Sequence, residues 1–194
     1  MANKGPTYGL SRACQLKTNA KFDMNLAKEA LTWIEEVTGR NLESPRGDFK
    51  DQYDVQEALK DGQALCELMN IIFPGSIKKV NTSKLAFKQR ENIEMFVMAC
   101  QRNGMKDVDT FATDDLYEGK SMYTVINCIH QLGSLARKAG FDGNTIGVKL
   151  ADANKREFTE EQLIASKQII SLQYGSNKGA SQAGMTAPGT SRHM

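Results

Sequence analysis

Apolar side chains recur at helical spacing in four stretches of the chain, and nothing between them alternates as a strand would. The first stretch covers 24–38, with Leu26, Ala30, Ile34 and Val37 on one face and Trp33 beside it. Asp23 is placed to cap its start and Gly39 its end. Residues 40–53 are rich in turn formers and predict a loop, followed by a short turn of helix over 55–59. A second main helix starts at Asp61 as cap and runs to about 72, burying Leu65, Leu68, Met69 and Ile72 until Phe73-Pro74-Gly75 stops it. The third spans about 88–103, with Ile93, Phe96, Val97 and Cys100 as its apolar stripe and Gly104 at its close. The fourth spans 121–138, with Val125, Ile129, Leu132 and Ala136 on one face, and Arg137 and Lys138 meet the negative end of its dipole before Gly140. Four amphipathic helices without strands predict an all-α domain over 22–140.

The pattern changes after Gly140. Residues 141–158 read as a linker, whose first part is too polar and glycine-rich to join the core as a helix. Thr159-Glu160-Glu161-Gln162 has the form of a capping box and predicts a short helix to about Leu172. Beyond Tyr174, glycine, serine and small residues dominate. Such a segment buries too little apolar area to offset chain ordering and is expected to be a flexible tail when unbound.

Composition narrows the class. The chain has 194 residues, 40% of them hydrophobic and 25% charged, as in ordinary water-soluble domains, and no apolar run reaches the roughly 20 residues needed to span a bilayer. The opening Met1-Ala2-Asn3-Lys4-Gly5-Pro6 lacks the apolar core of a secretory signal, so a cytoplasmic location is expected. Cys14, Cys66, Cys100 and Cys128 are widely spaced without a C-x-x-C pair, and the last three fall in aliphatic helical patterns, as reduced core thiols do. The net charge of +2 hides an uneven distribution. Residues 1–21 carry +4 and residues 162–194 carry +3, neither with any acid, which leaves −5 for the middle. A mildly acidic body with two basic ends suits an acidic partner surface.

Catalytic and metal-binding readings find little support. Only His130 and His193 are present, and His130 has no acid or cysteine at ligand spacing, so a structural role is expected of it. Residues 107–118 imitate a calcium loop, with carboxylates at its positions 1, 3, 9 and 12. Phe111 and Ala112 occupy positions where a ligand and a turn-forming glycine are needed, so a capped turn before the last main helix is expected instead. Trp33 and Phe96 lie at helical spacing in apolar stripes and are expected in the core. No cofactor is implied, and nucleic acid is not expected as a partner, because the body is acidic and lacks an interleaved aromatic and basic surface.

Three strings carry a resemblance. Leu59-Lys60-Asp61-Gly62-Gln63-Ala64-Leu65-Cys66-Glu67-Leu68-Met69-Asn70, then Glu91-Asn92-Ile93-Glu94-Met95-Phe96, then Asp115-Leu116-Tyr117-Glu118-Gly119 follow the order and spacing of a calponin-homology domain. The segment from Ile170 to Thr186, including Ser171-Leu172-Gln173-Tyr174-Gly175-Ser176-Asn177-Lys178-Gly179, resembles one calponin-like repeat. Together with Asn3-Lys4-Gly5-Pro6-Thr7-Tyr8-Gly9, the chain is similar to the calponin/transgelin family. Two departures stand out: Pro188 lies where many repeats have an aromatic, and the chain stops at His193-Met194, where calponins continue.

The resemblance implies a basic extension over 1–21, the calponin-homology domain over 22–140, a linker over 141–158, and a short helix with a single repeat over 159–194. It further implies a non-enzymatic, cytoskeleton-associated protein that binds F-actin and bundles or stabilises it, regulating contractility or cell shape. Basic residues before the capping-box helix, here Lys155 and Arg156, then contact actin, joined by Lys149 and by Lys178 of the repeat. Ser181, three residues after Lys178, suits a basophilic kinase, and a phosphate of about −1.5 to −2 would cancel at least about half of the +3 tail. The competing expectation is a signalling adaptor whose calponin-homology domain binds a kinase or cytoskeletal regulator.

Overall fold

The structure, a computed structural model, describes residues 9–151 and 154–168. Among these the chain forms only helices and connecting turns, with no strand. The helices are α1 (Gly9–Asn19), α2 (Met24–Thr38), α3 (Gln52–Leu59), α4 (Gln63–Ile72), α5 (Ala86–Arg102), α6 (Thr113–Tyr117), α7 (Met122–Ala139) and α8 (Glu160–Gln168). The chain divides into two compact units, 1–151 and 152–194. The first contains α1 to α7 and is built around α2, α4, α5 and α7, the four helices expected from the apolar pattern.

Helix α2 has the predicted bounds. The Asp23 carboxylate accepts the Asn25 N–H at 2.8 Å, and Gly39 ends the helix in the left-handed region at φ +67°. Its buried face is rotated from the expected one. Ala27, Ala30, Leu31, Trp33 and Ile34 are buried, whereas Leu26 is 41% exposed. Helix α4 buries Leu65, Leu68, Met69 and Ile72 as expected. Asp61 accepts the Gln63 N–H at 2.9 Å, but the residue in capping position is Gly62, at φ +68°. On α5, Ile93, Phe96 and Cys100 are buried and Val97 partly so. On α7, Val125, Ile129, Leu132 and Ala136 are all buried.

The strings that carry the resemblance are joined inside this unit by polar contacts. Asn92, fully buried on α5, donates to the carbonyls of Asp61 and Asn81, each at 2.8 Å, and accepts the Asn81 N–H at 2.9 Å. Its amide thereby holds both the α3–α4 junction and the loop before α5. Gln56 on α3 donates to the Tyr117 carbonyl at 2.9 Å, tying α3 to the end of α6.

Two parts of the first unit differ from the expectation. Residues 9–19 form a helix that packs against α7, where a basic extension with no element is expected from the sequence. The start of the expected linker lies against α2 and α7. The Trp33 indole N–H donates to the Asn144 carbonyl at 2.7 Å, Asn144 donates to Glu36 at 2.6 Å, and Ile146 is buried. Arg137 adds hydrogen bonds to the Thr145 hydroxyl and carbonyl at 3.0 and 3.1 Å. The segment is non-helical, as its composition demands, and holds its place through buried Ile146, partly buried Phe141 and these polar contacts.

Candidate functional site

The expected basic contacts fall into both units. Lys149 stands two residues beyond Gly147, whose φ of +80° brings the chain close against the His130 carbonyl and the Ser134 hydroxyl on α7. Lys149 itself is exposed. In the second unit Lys155 and Arg156 are exposed just before α8. Among the described residues none of these three cations has an ion-pair or hydrogen-bond partner. Arg40, by contrast, pairs with Glu67, Arg46 with Asp51 and Asp54, and Lys60 with Glu57.

The capping box forms as read. Gln162 Oε1 accepts the Thr159 N–H at 3.1 Å, and Thr159 Oγ1 accepts the Gln162 N–H at 3.4 Å. Of the α8 side chains that are described none is buried, and Leu163 and Ile164 are 47% and 57% exposed. The start of the helix that follows Lys155 and Arg156 is therefore held by its cap rather than by a core. Lys178, Ser181, Pro188 and the expected flexible tail lie outside the described residues.

Residues 107–118 form a 3-10 turn at Asp107–Asp109 and then α6. Of their five carboxylates, Asp114, Asp115 and Glu118 have protein partners. Asp115 accepts the Ala112 N–H at 2.9 Å, while Asp114 and Glu118 both bind Arg90 and Lys120. The hydrogen bonds from Lys120 and Arg90 hold the Asp114 carboxyl below its ordinary range, and Arg90 does the same first for Glu118. The Arg90 guanidinium also lies 4.3 Å from the centre of the Tyr117 ring, as a cation–π contact does. His130 has a structural partner, its Nε2 lying 3.1 Å from the Leu26 carbonyl.

A further acid-free run lies inside the domain rather than at the ends of the chain. Between Glu67 and Glu91 there is no acid, while Lys78, Lys79, Lys84, Lys88 and Arg90 give +5. Averaging over the acidic body hides it, although the spacing of carboxylates along the chain reveals it.

Helix order, the buried Trp33 and the Asn92 junction together define a calponin-homology fold, and comparison with known proteins agrees. The calponin homology (CH) domain family matches residues 24–138, and the calponin family repeat matches residues 170–194. The chain belongs to the calponin/transgelin family. It is 43% identical to myophilin of Echinococcus granulosus over 187 residues, 95% of each chain. Among solved structures it is similar to the calponin-homology domain of an IQGAP protein of Schizosaccharomyces pombe, at 25% identity and a TM-score of 0.52, covering 78% of this chain and 87% of that one. The calponin-homology domain of Rng2 from the same organism is similar at 26% identity and a TM-score of 0.53, with the same coverage. Calponin-family membership suggests an actin-binding, cytoskeletal role and places the chain among structural, non-enzymatic proteins. Among the described residues no helix is long and apolar enough to cross a membrane.

Proposed function

We propose that the protein is a cytoplasmic, actin-filament-associated protein that binds F-actin through Lys149, Lys155 and Arg156 together with Lys178 of the repeat, and bundles or stabilises the filaments. The observation that carries this reading is the unpartnered, exposed pair Lys155–Arg156 immediately before a capped helix, in a chain whose family and repeat are those of calponin. Uncompensated cations on an exposed segment favour an acidic surface, and filament binding through them weakens as salt shortens the Debye length to about 8 Å near physiological strength. Bundling requires two filament contacts per particle, and the +4 N-terminal stretch is the second. Phosphorylation of Ser181 releases the protein by cancelling tail charge.

Co-sedimentation with F-actin tests the reading on three proteins: the full chain, a truncation after Phe158, and K155E/R156E/K178E. The full chain is expected to pellet in a salt-sensitive manner, the truncation more weakly, and the charge reversal least. Equal binding by all three would remove these residues from the interaction.

A further inference from the structure

Residues 144–147 are fastened to the helical body one after another, and a candidate filament contact stands just beyond them. Asn144 is held twice by α2: its carbonyl accepts the Trp33 indole N–H at 2.7 Å, and its side chain donates to Glu36 at 2.6 Å. From α7, Arg137 donates to the Thr145 hydroxyl and carbonyl at 3.0 and 3.1 Å. Ile146 is buried beside Gly133 of α7, where a Cβ would come within 2.6 Å of the Ile146 carbonyl oxygen. Gly147 makes room from the other side. Its φ of +80° and missing side chain let the backbone pass against the His130 carbonyl and the Ser134 hydroxyl.

The fastening ends abruptly. Val148 is 68% exposed, and Lys149 is exposed with no ion-pair or hydrogen-bond partner among the described residues. Burial alone does not account for so close a fit, because Ile146 is the only one of the four fastened residues that is buried. Directional hydrogen bonds and a glycine on each side fix the course of the backbone, which one buried isoleucine would leave loose.

We propose that residues 144–147 form a latch that pre-organises Lys149 for the filament, with Ile146 and Gly147 as positioning residues. The inference rests on the filament-binding reading above and adds a geometric requirement to it. A lysine two residues beyond a fixed backbone has little freedom left to lose on binding. The same lysine on an unfastened chain must be ordered at each encounter, and its contact then adds little net affinity. Lys155 and Arg156 belong to the second unit and serve as the comparison.

A double-mutant cycle in F-actin co-sedimentation tests this on the full chain. Ile146→Ser opens the latch and leaves every charge in place, while K149A removes the cation. Each alone is expected to weaken binding by about three- to tenfold, and I146S/K149A no more than the stronger of the two. I146S combined with K155A/R156A is expected instead to multiply the separate losses. Ile146→Val should bind as the parent does, and Gly133→Ala, which disturbs the latch from α7, should repeat the I146S pattern. Circular dichroism checks the fold of each variant, and Trp33 emission reports release of the Asn144 carbonyl. Losses that multiply in I146S/K149A overturn the latch. So does a K149A variant that binds as the parent does, or parent-like binding or unchanged Trp33 emission in both I146S and G133A. In those cases weakened binding by K155A/R156A leaves the filament reading standing. A full chain that does not pellet with F-actin overturns both.

Discussion

Gly62 packs directly against Asn92: a Cβ on residue 62 would lie 2.9 Å from the Asn92 Cβ and 3.1 Å from the Ile93 amide nitrogen. At φ +68° the same position is in the left-handed region that side chains disfavour. Gly62→Ala is therefore expected to destabilise the domain by about 2 to 4 kcal/mol, from backbone strain and from displacement of the buried amide. Urea unfolding followed by circular dichroism measures it, and a loss below about 1 kcal/mol would show that Asn92 yields freely.

A second close approach joins α7 to the segment after it. A Cβ on Gly133 would come within 2.6 Å of the Ile146 carbonyl oxygen and 2.7 Å of its Cγ1. Gly133→Ala is expected to push Ile146 outward and to lengthen or break the neighbouring hydrogen bond from Trp33 to Asn144, costing about 1 to 3 kcal/mol. Trp33 is the sole tryptophan, so its emission should change while far-ultraviolet dichroism stays near that of the parent.

Acid stability should depend on Arg46. The Asp54 side chain is wholly buried and accepts from Arg46 Nε at 2.7 Å and the Lys50 N–H at 2.9 Å. The Arg46 hydrogen bond is the main cause that holds the Asp54 carboxyl below its ordinary 3.8, and it does the same for Asp51. A carboxyl depressed on folding adds stability that is present above the unfolded value and is lost as pH falls through the folded one. Arg46→Ala removes the main cause of that depression. Its urea midpoint should be lower at neutral pH and begin its acid decline at a higher pH than the parent's. Identical profiles would show the pair to be neutral.

Thiol reactivity should separate one cysteine from three. Cys14 is exposed on α1, whereas Cys66, Cys100 and Cys128 are buried. Burial pushes the Cys66 thiol up to about 12, and the neighbouring Cys128 thiol together with burial also raises Cys100. A disulfide reagent at neutral pH should titrate one thiol per native chain and all four in denaturant. Cys14→Ser should abolish the native reaction.

Much of the fold was legible because its main helices carry wide apolar stripes and sharp ends. Asp23 and Gly39 bound α2 to the residue, and Gly140 closes α7 in the left-handed region. Periodicity did not set the rotation of a stripe. Leu26 and Ala27 are adjacent, and packing against α4 and α7 selected the smaller residue. Helix α1 escaped because it has few large apolar residues, and Leu16 among them is 59% exposed. Helix α6 is five residues long, too short for periodicity to register. Among the candidate contacts, the exposure of Lys149, Lys155 and Arg156 followed from their polar surroundings. The exposure of Phe87 did not, because a phenylalanine opening a helix is ordinarily assigned to a core.

Helix α8 has a thermodynamic consequence of its own. None of its described side chains is buried, so the Thr159–Gln162 capping box, worth about 1 kcal/mol, weighs heavily in its coil–helix equilibrium. Any partner that recognises the helical form binds with an affinity scaled by the fraction of molecules already wound. Thr159 thereby acts as a dial on affinity from a position that need never touch the partner, and solvent conditions that favour helices would turn it in the same direction.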